Sequence, residues 1–148
     1  MKTLVLLTAL VGLVGCGLFC PEECKPVSEA EVTSGPRGSL KIHASLKYYD
    51  DEGREREMQV WAPFLMHTSK GRCFEGVAYV HLMLPPDYYR LEPQDITNED
   101  ELKEIRWETD LPGPFFVPDI VDDPYYQERL EVDIKDGSKS VRNFYYRL

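Results

Sequence analysis

The fold is decided by residues 40–49, which read Leu40-Lys41-Ile42-His43-Ala44-Ser45-Leu46-Lys47-Tyr48-Tyr49. Every second residue is apolar up to Leu46, and more polar residues stand between them. A period of two is typical of a β-strand that has one buried and one solvated face. The polar run Asp50-Asp51-Glu52-Gly53 then predicts a turn. We therefore expect this stretch to be a strand at the border of the core.

Three segments after this strand extend the expected sheet. Residues 57–65 predict a second strand, but Pro63 lacks the amide donor that a central strand needs, so this segment should lie at a sheet edge or bend there. Residues 73–84 are apolar on both alternations, which predicts a strand that is covered on two sides in the middle of the core. Two prolines end that run, and we expect residues 87–95 to be irregular.

Residues 98–103 have the pattern of a short helix. Asn98 can cap a helix, and the acidic residues after it suit the positive end of a helix dipole, which predicts at most about two turns. Residues 105–109 predict a short strand. Residues 111–126 contain four prolines and predict a long loop.

Residues 130–148 give the clearest local pattern. Residues 130–135 alternate apolar with charged side chains, Asp136-Gly137 predicts a turn, and residues 140–148 follow as a partner strand, so we expect a β-hairpin. About five to seven short strands with little helix predict an all-β fold, a small antiparallel β-sandwich in one domain over residues 39–148. The closing hairpin resembles the last two strands of immunoglobulin-like and transthyretin-like domains.

The first 15 residues have the pattern of a signal peptide. They contain Lys2, a short apolar segment and small residues near the end. The apolar segment is shorter than the roughly 20 residues of a membrane-spanning helix. Leu13-Val14-Gly15-Cys16 resembles the lipobox of bacterial lipoproteins. The alternative is an ordinary secretory leader in which Cys16 falls at this place by coincidence.

The resemblance implies a lipid anchor on Cys16. In bacterial lipoproteins the thiol of this cysteine receives a diacylglyceryl group, the leader is cut before it, and the new amine is often acylated with a chain such as palmitate. Each buried methylene contributes about 0.8 kcal/mol, so two or three chains hold a protein on a membrane. The family's inner-membrane retention signal, an aspartate after the cysteine, is replaced by Gly17. The resemblance thus implies the outer membrane, facing the periplasm or the cell surface.

Residues 16–38 predict a tether that holds the lipidated cysteine. The segment is polar and rich in prolines, so it has little apolar surface to pack. In an oxidising compartment, Cys73 is expected to pair with Cys24 or Cys20, which would clip the tether to the domain. A bridge between Cys20 and Cys24 is the other pairing, and each of these pairings leaves one thiol over.

Composition and motifs argue against several classes of protein. The formal charge of -9 becomes about -10 when Lys2 leaves with the leader, and a strongly acidic chain does not suit nucleic acid. The sequence has no phosphate loop, nucleophile elbow or metalloprotease motif. We therefore expect no catalytic residue, no metal site and no cofactor. His43 is expected to be solvated and His81 to be buried and neutral.

Paired aromatic residues suggest a binding surface. On an extended chain one ring of a pair faces inward and its neighbour outward, and tyrosine is frequent in protein interfaces. The pairs near the long loop make Phe115, Phe116, Tyr125 and Tyr126 the candidate partner-binding residues, although such rings also cover sheet edges. The sequence thus predicts a lipid-anchored, non-catalytic accessory or scaffold protein of a secretion, motility or adhesion assembly, with a plan comparable to that of small sandwich lipoproteins of type VI secretion systems. The alternative is an outer-membrane module that binds a sugar, a peptide or calcium, the last through Asp119, Asp122 and Asp123.

Overall fold

The structure, a computed structural model, describes residues 23–31, 34–117 and 130–147. Within these ranges the chain forms a β-sandwich of two sheets with one α-helix. The strands are β1 (Lys25–Pro26), β2 (Gly38–Tyr49), β3 (Glu55–Gln59), β4 (Ala62–Thr68), β5 (Cys73–Ala78), β6 (Val80–Leu84), β7 (Asp87–Pro93), β8 (Glu131–Ile134) and β9 (Lys139–Arg147). The helix α1 spans Glu99–Thr109, and a 3-10 turn at Val27–Glu29 follows β1.

Strand β2 is the centre of the four-stranded sheet. One of its edges is shared, because β6 pairs with residues 38–42 and β3 pairs with residues 45–49, both antiparallel. The other edge pairs along its length with β9 in parallel orientation. The predicted period of two is confirmed, since the even-numbered residues Leu40 to Leu46 are fully buried. The sandwich is therefore a mixed one and not purely antiparallel as predicted.

Two chain crossovers join the sheets at the middle of β2. The chain leaves β3 at Val60, whose amide donates to the Ala44 carbonyl at 3.0 Å, and enters β4 in the five-stranded sheet. The chain returns from β5 through Tyr79 into β6. The predicted strand at 57–65 is thus two strands in different sheets, and so is the predicted strand at 73–84. The prediction that 73–84 lies in the middle of the core is wrong, because β6 pairs only with β2 in the described part of the chain.

The five-stranded sheet has the order β1-β5-β4-β7-β8. Strand β7 pairs with β4 on one side and β8 on the other, so the expectation of irregular chain at 87–95 is wrong. The predicted bend near Pro63 is confirmed by the crossover just before it, whereas the predicted edge position is wrong because β4 lies between two strands. Tyr89 and Leu91 of β7 face inward and are buried, which is why this strand is stable in the sheet.

The predicted closing hairpin is wrong, although its turn and both strands exist. Gly137 adopts a positive φ of 74° in the turn, as a glycine can do without steric cost. Strand β8 then pairs with β7, while β9 crosses to the other sheet and pairs with β2. The guanidinium of Arg142 on β9 donates to the Glu131 carbonyl at 3.0 and 3.2 Å, which links the two sheets.

Helix α1 is longer than predicted and replaces the strand expected at 105–109. Asn98 caps it as predicted, because its side-chain oxygen accepts from the amides of Asp100 and Glu101 at 3.0 and 3.2 Å. Leu102 and Ile105 lie one turn apart on the buried face. They belong to one hydrophobic core with both sheets, whose largest buried members are Phe64, Tyr89, Phe115, Phe144 and Tyr146.

Candidate partner-binding surface

A disulfide fixes one end of the five-stranded sheet. Cys24 is bonded to Cys73 at the start of β5, which is one of the pairings expected from the sequence. Residues 25 and 26 pair with β5, and a Cβ added at Gly76 would come within 2.8 Å of Val27, so this segment packs closely on the sheet. From Cys24 to Ala30 the predicted tether is therefore part of the fold.

The opposite end of β4 and β5 carries exposed apolar side chains. Ala62 pairs with Ala78 there, and the chain crosses to the other sheet immediately beyond. Trp61, Val77 and Tyr79 are 52%, 51% and 41% exposed, and we call these three residues the crossover patch. Exposed rings and branched side chains of this kind are typical of sites where another protein binds.

The crossover patch is held in place by contacts beneath it. The Tyr79 ring lies 4.6 Å from the His43 ring, measured between centroids and at an angle of 60°. The Trp61 amide donates to the Glu101 carboxylate on α1 at 2.9 Å. Burial of this carboxyl raises the pKa of Glu101, an effect that the Trp61 hydrogen bond opposes and the charge of Glu104 strengthens. The crossover patch is thus connected to the four-stranded sheet through His43 and to α1 through Glu101.

A groove of about 650 Å³ adjoins the crossover patch on the outside of the five-stranded sheet. Its residues are Pro26, Pro63, Phe64, Leu65, Glu75, Gly76, Val77, Gln94, Asp95 and Thr97. Most of these residues are apolar, and the charged side chains among them are the carboxylates of Glu75 and Asp95. Such a groove suits an apolar segment that carries a positive charge.

The outer face of the five-stranded sheet is acidic. Because alternate side chains of a strand point to opposite faces, the neighbours of the buried residues point outward. On the described strands β4, β5, β7 and β8 the outward carboxylates are Glu75, Glu92, Glu131 and Asp133, and the outward guanidinium is Arg90. The ring of His67 contacts Glu92 at 2.8 Å, and the Tyr88 hydroxyl donates to Glu131, which raises the pKa of Tyr88.

The outer face of the four-stranded sheet is basic along two of its strands. Lys41 and Lys47 point outward from β2, and Lys139 and Arg147 point outward from β9. No carboxylate points outward from these two described strands, whereas Glu55 and Glu57 do so from β3. The Lys47 ammonium lies 4.9 Å from the centre of the Tyr145 ring. The two outer faces of the sandwich therefore carry opposite charge.

The structure separates the aromatic residues that the sequence grouped together. Phe115 is 1% exposed and pairs with Ile96, so its ring belongs to the core and not to a binding surface. Phe116 is 61% exposed, which agrees with the inward and outward alternation expected of the pair. Tyr125 and Tyr126 lie outside the described residues, as do the acids proposed for calcium. The crossover patch could not be predicted from the sequence, because Trp61 and Tyr79 come from the two places where the chain changes sheets.

His43 and His81 lie on two strands of the four-stranded sheet. His81 is exposed, so the expectation of a buried imidazole is wrong; it points outward from β6, beside Lys41. His43 is partly covered by Tyr79 and not fully solvated. Cys16 and Cys20 lie outside the described residues.

Among the residues that the structure describes, no cluster of metal-ligating side chains is found. None of the described helices has the length and hydrophobicity required to cross a membrane. No protein family model, curated protein or solved structure matches the chain.

Proposed function

We propose that this protein is a lipid-anchored, non-catalytic component of a multiprotein assembly in the bacterial cell envelope, held by Cys16 on the outer membrane. The observation that supports the proposal best is the difference between the two ends of the five-stranded sheet. The disulfide at Cys24 fixes one end of the sheet close to the anchor, and the crossover patch lies at the other end. A domain held at its disulfide end presents the crossover patch away from the bilayer.

The distance from the membrane follows from the number of residues between the two cysteines. Cys16 precedes Cys24 by eight positions, and an extended chain spans at most about 3.6 Å per residue, so the disulfide end stays within about 29 Å of the lipid. A connection of this length lets the crossover patch reach a neighbouring envelope protein. Phe116, Tyr125 and Tyr126 are further candidates for this contact.

The anchor is tested by mass analysis of the mature amino terminus. We expect an acylated Cys16, and we expect Cys16→Ser to block processing and to release the product from the membrane fraction. A mature terminus elsewhere, or unchanged fractionation of the serine variant, would contradict the anchor.

The binding surface is tested by affinity purification from detergent extracts with the variant Trp61→Ala, Tyr79→Ala. We expect it to recover less of an envelope protein that the native chain retains. Tyr49→Ala is the matched control, because Tyr49 is an exposed tyrosine at the end of β2. Equal recovery by the two variants, with equal thermal stability, would show that the crossover patch binds no partner.

A ligand-binding module is the second candidate, and the groove favours it. Its volume of about 650 Å³ falls within the usual range of ligand sites, about 300–1,000 Å³. A peptide with an apolar and cationic side chain fits the apolar residues of the groove and the carboxylates of Glu75 and Asp95. Saturable binding of a Leu-Lys-Leu peptide that is lost in Glu75→Gln, Asp95→Asn would favour this candidate over the assembly component.

A further inference from the structure

We infer that copies of this protein stack side by side on the membrane, with the acidic outer face of one copy against the basic outer face of the next. The inference deepens the proposed function, because it names a second copy of this chain as one partner in the assembly. It rests on the opposite charge of the two faces, on their accessibility, and on the orientation that the proposed anchor allows.

Charge complementarity is the first observation. The acidic face carries Glu75, Glu92, Glu131 and Asp133 against Arg90, and the basic face carries Lys41, Lys47, Lys139 and Arg147 against Glu55 and Glu57, so the two faces keep opposite net charge. Two copies that met through the same face would bring like charges together, which disfavours a symmetric dimer. Contact between unlike faces is favourable and leaves a free face of each kind at the two ends of the pair, so it can be repeated.

The middle of each face is uncharged and able to make direct contact. On the acidic face Leu65 lies between Glu75 and Glu92, since it pairs with both of them. On the basic face Val141, Asn143 and Tyr145 lie between Lys139 and Arg147 along β9, and Val141 is exposed. An uncharged centre flanked by charges matches the usual anatomy of a protein interface, in which charged residues are depleted at the core.

Orientation is the third point. Strands β4 and β5 run between the disulfide end and the crossover end, so both sheet faces point sideways when the domain stands on its disulfide end, an orientation that the proposed anchor allows. Neighbouring anchored copies would therefore meet face to face without leaving the bilayer. Stacking would cover the groove and leave Trp61 and Tyr79 at the crossover end for a different partner.

Because the contact area is small, we expect stacking to require the membrane. Strands are about 4.8 Å apart and rise about 3.3 Å per residue, so four strands of about six residues offer about 400 Å² on each copy. Stable complexes bury about 1,200–2,000 Å² in total, so stacking should be weak in solution. Confinement on a bilayer raises the effective concentration and compensates for the small area.

The test uses the lipidated chain in phosphatidylcholine vesicles, whose neutral surface does not compete for either face. Donor and acceptor dyes are placed on Cys20, the thiol that Cys24 and Cys73 leave over. We expect energy transfer between native copies above the value for random placement, and a decrease as salt is added. Native transfer at the random value at every protein density would overturn the inference.

Two charge-reversed variants identify the faces. Lys41→Glu, Lys139→Glu alters the basic face, and Glu75→Lys, Glu92→Lys alters the acidic one. Each alone should lower the association constant about tenfold or more, and an equimolar mixture of the two should recover it, because each variant then presents the complement of the other. Lys103→Glu and Glu108→Lys on the exposed side of α1 are the matched controls and should behave as the native chain.

The outcomes separate this inference from the proposed function. If either reversal leaves transfer unchanged, or if the mixture stays as low as each variant alone, the two faces do not meet and the stacking model fails. Acylation of Cys16 and recovery of a different envelope protein through Trp61 and Tyr79 would be unaffected by that result. Conversely, an unmodified Cys16 would contradict the anchor, while complementation between the variants could still be measured in solution at high concentration.

Discussion

At the scale of single residues, Pro63 shows how the fold accommodates a proline inside a sheet. The Gln94 amide donates to the Pro63 carbonyl at 2.9 Å, but Pro63 has no amide to return the bond to the Gln94 carbonyl. The Tyr146 hydroxyl takes its place and donates to the Gln94 carbonyl at 2.5 Å. Since Tyr146 is on β9, this bond also connects the two sheets. The sequence predicted that Pro63 needs a special position, but the distant tyrosine that compensates could not be found without the fold.

We expect Tyr146→Phe to lower the free energy of unfolding by about 1–3 kcal/mol, because it leaves a partly buried carbonyl without this donor. Urea denaturation followed by fluorescence measures the change. In the variant Pro63→Ala the restored amide can reach the Gln94 carbonyl, so Tyr146→Phe should cost less in that background. Equal costs in both backgrounds would mean that the hydroxyl does not substitute for the missing amide.

At the scale of secondary structure elements, local patterns predicted strands and caps but not their partners. The alternation in β2 and the cap at Asn98 depend on neighbouring residues, so the sequence contains them. Strand β9 pairs with β2 and not with β8, and this pairing buries Phe144 and Tyr146 in the core. Residues adjacent in the sequence do not determine that burial. For the same reason the sequence does not show that Phe115 is buried, or that Trp61 and Tyr79 lie at the same end of the sandwich.

The link between α1 and the crossover makes a prediction about pH. Burial raises the pKa of Glu101, so the folded protein holds this proton more tightly than the unfolded chain does. The stability that follows is fully present below the ordinary pKa of about 4.5 and is lost as the pH rises through the raised value. Glu101→Gln keeps an acceptor for the Trp61 amide and does not ionise.

We therefore expect the stability of Glu101→Gln, relative to the native chain, to increase as the pH rises from about 4 to about 7. Urea midpoints over this range measure the difference. Glu108→Gln, on the exposed side of the same helix, should show no such trend. A stability difference that is independent of pH would contradict the assignment.

At the scale of the whole molecule, the disulfide connects the amino-terminal segment to the sandwich. The sequence predicted an all-β sandwich and left Cys20 and Cys24 as alternative partners of Cys73, because both can reach it along a polar segment. Residues 25 and 26 pair with β5, which places Cys24 beside Cys73, and these two cysteines are bonded. A separation of 49 residues means that the bond removes substantial freedom from the unfolded chain.

We expect Cys24→Ser and Cys73→Ser to lower the free energy of unfolding by similar amounts, about 2–4 kcal/mol. Cys20→Ser should leave it unchanged, and denaturation of the three purified variants provides the measurement. If Cys20→Ser lowers the free energy of unfolding as much as Cys73→Ser does, the bridge in solution joins Cys20 to Cys73.

The parallel pairing of β2 with β9 has a consequence for biosynthesis. Ser39 faces Lys139 and Lys47 faces Arg147, so the partners are made one hundred residues apart. While the ribosome is still adding the intervening residues, one edge of the central strand β2 stays open and prone to join other chains. The pairing of β2 with β9 can form only once β9 has been made, and β-rich topologies then fold on the millisecond to second scale. Protection of that open edge until β9 arrives is the requirement that this topology imposes.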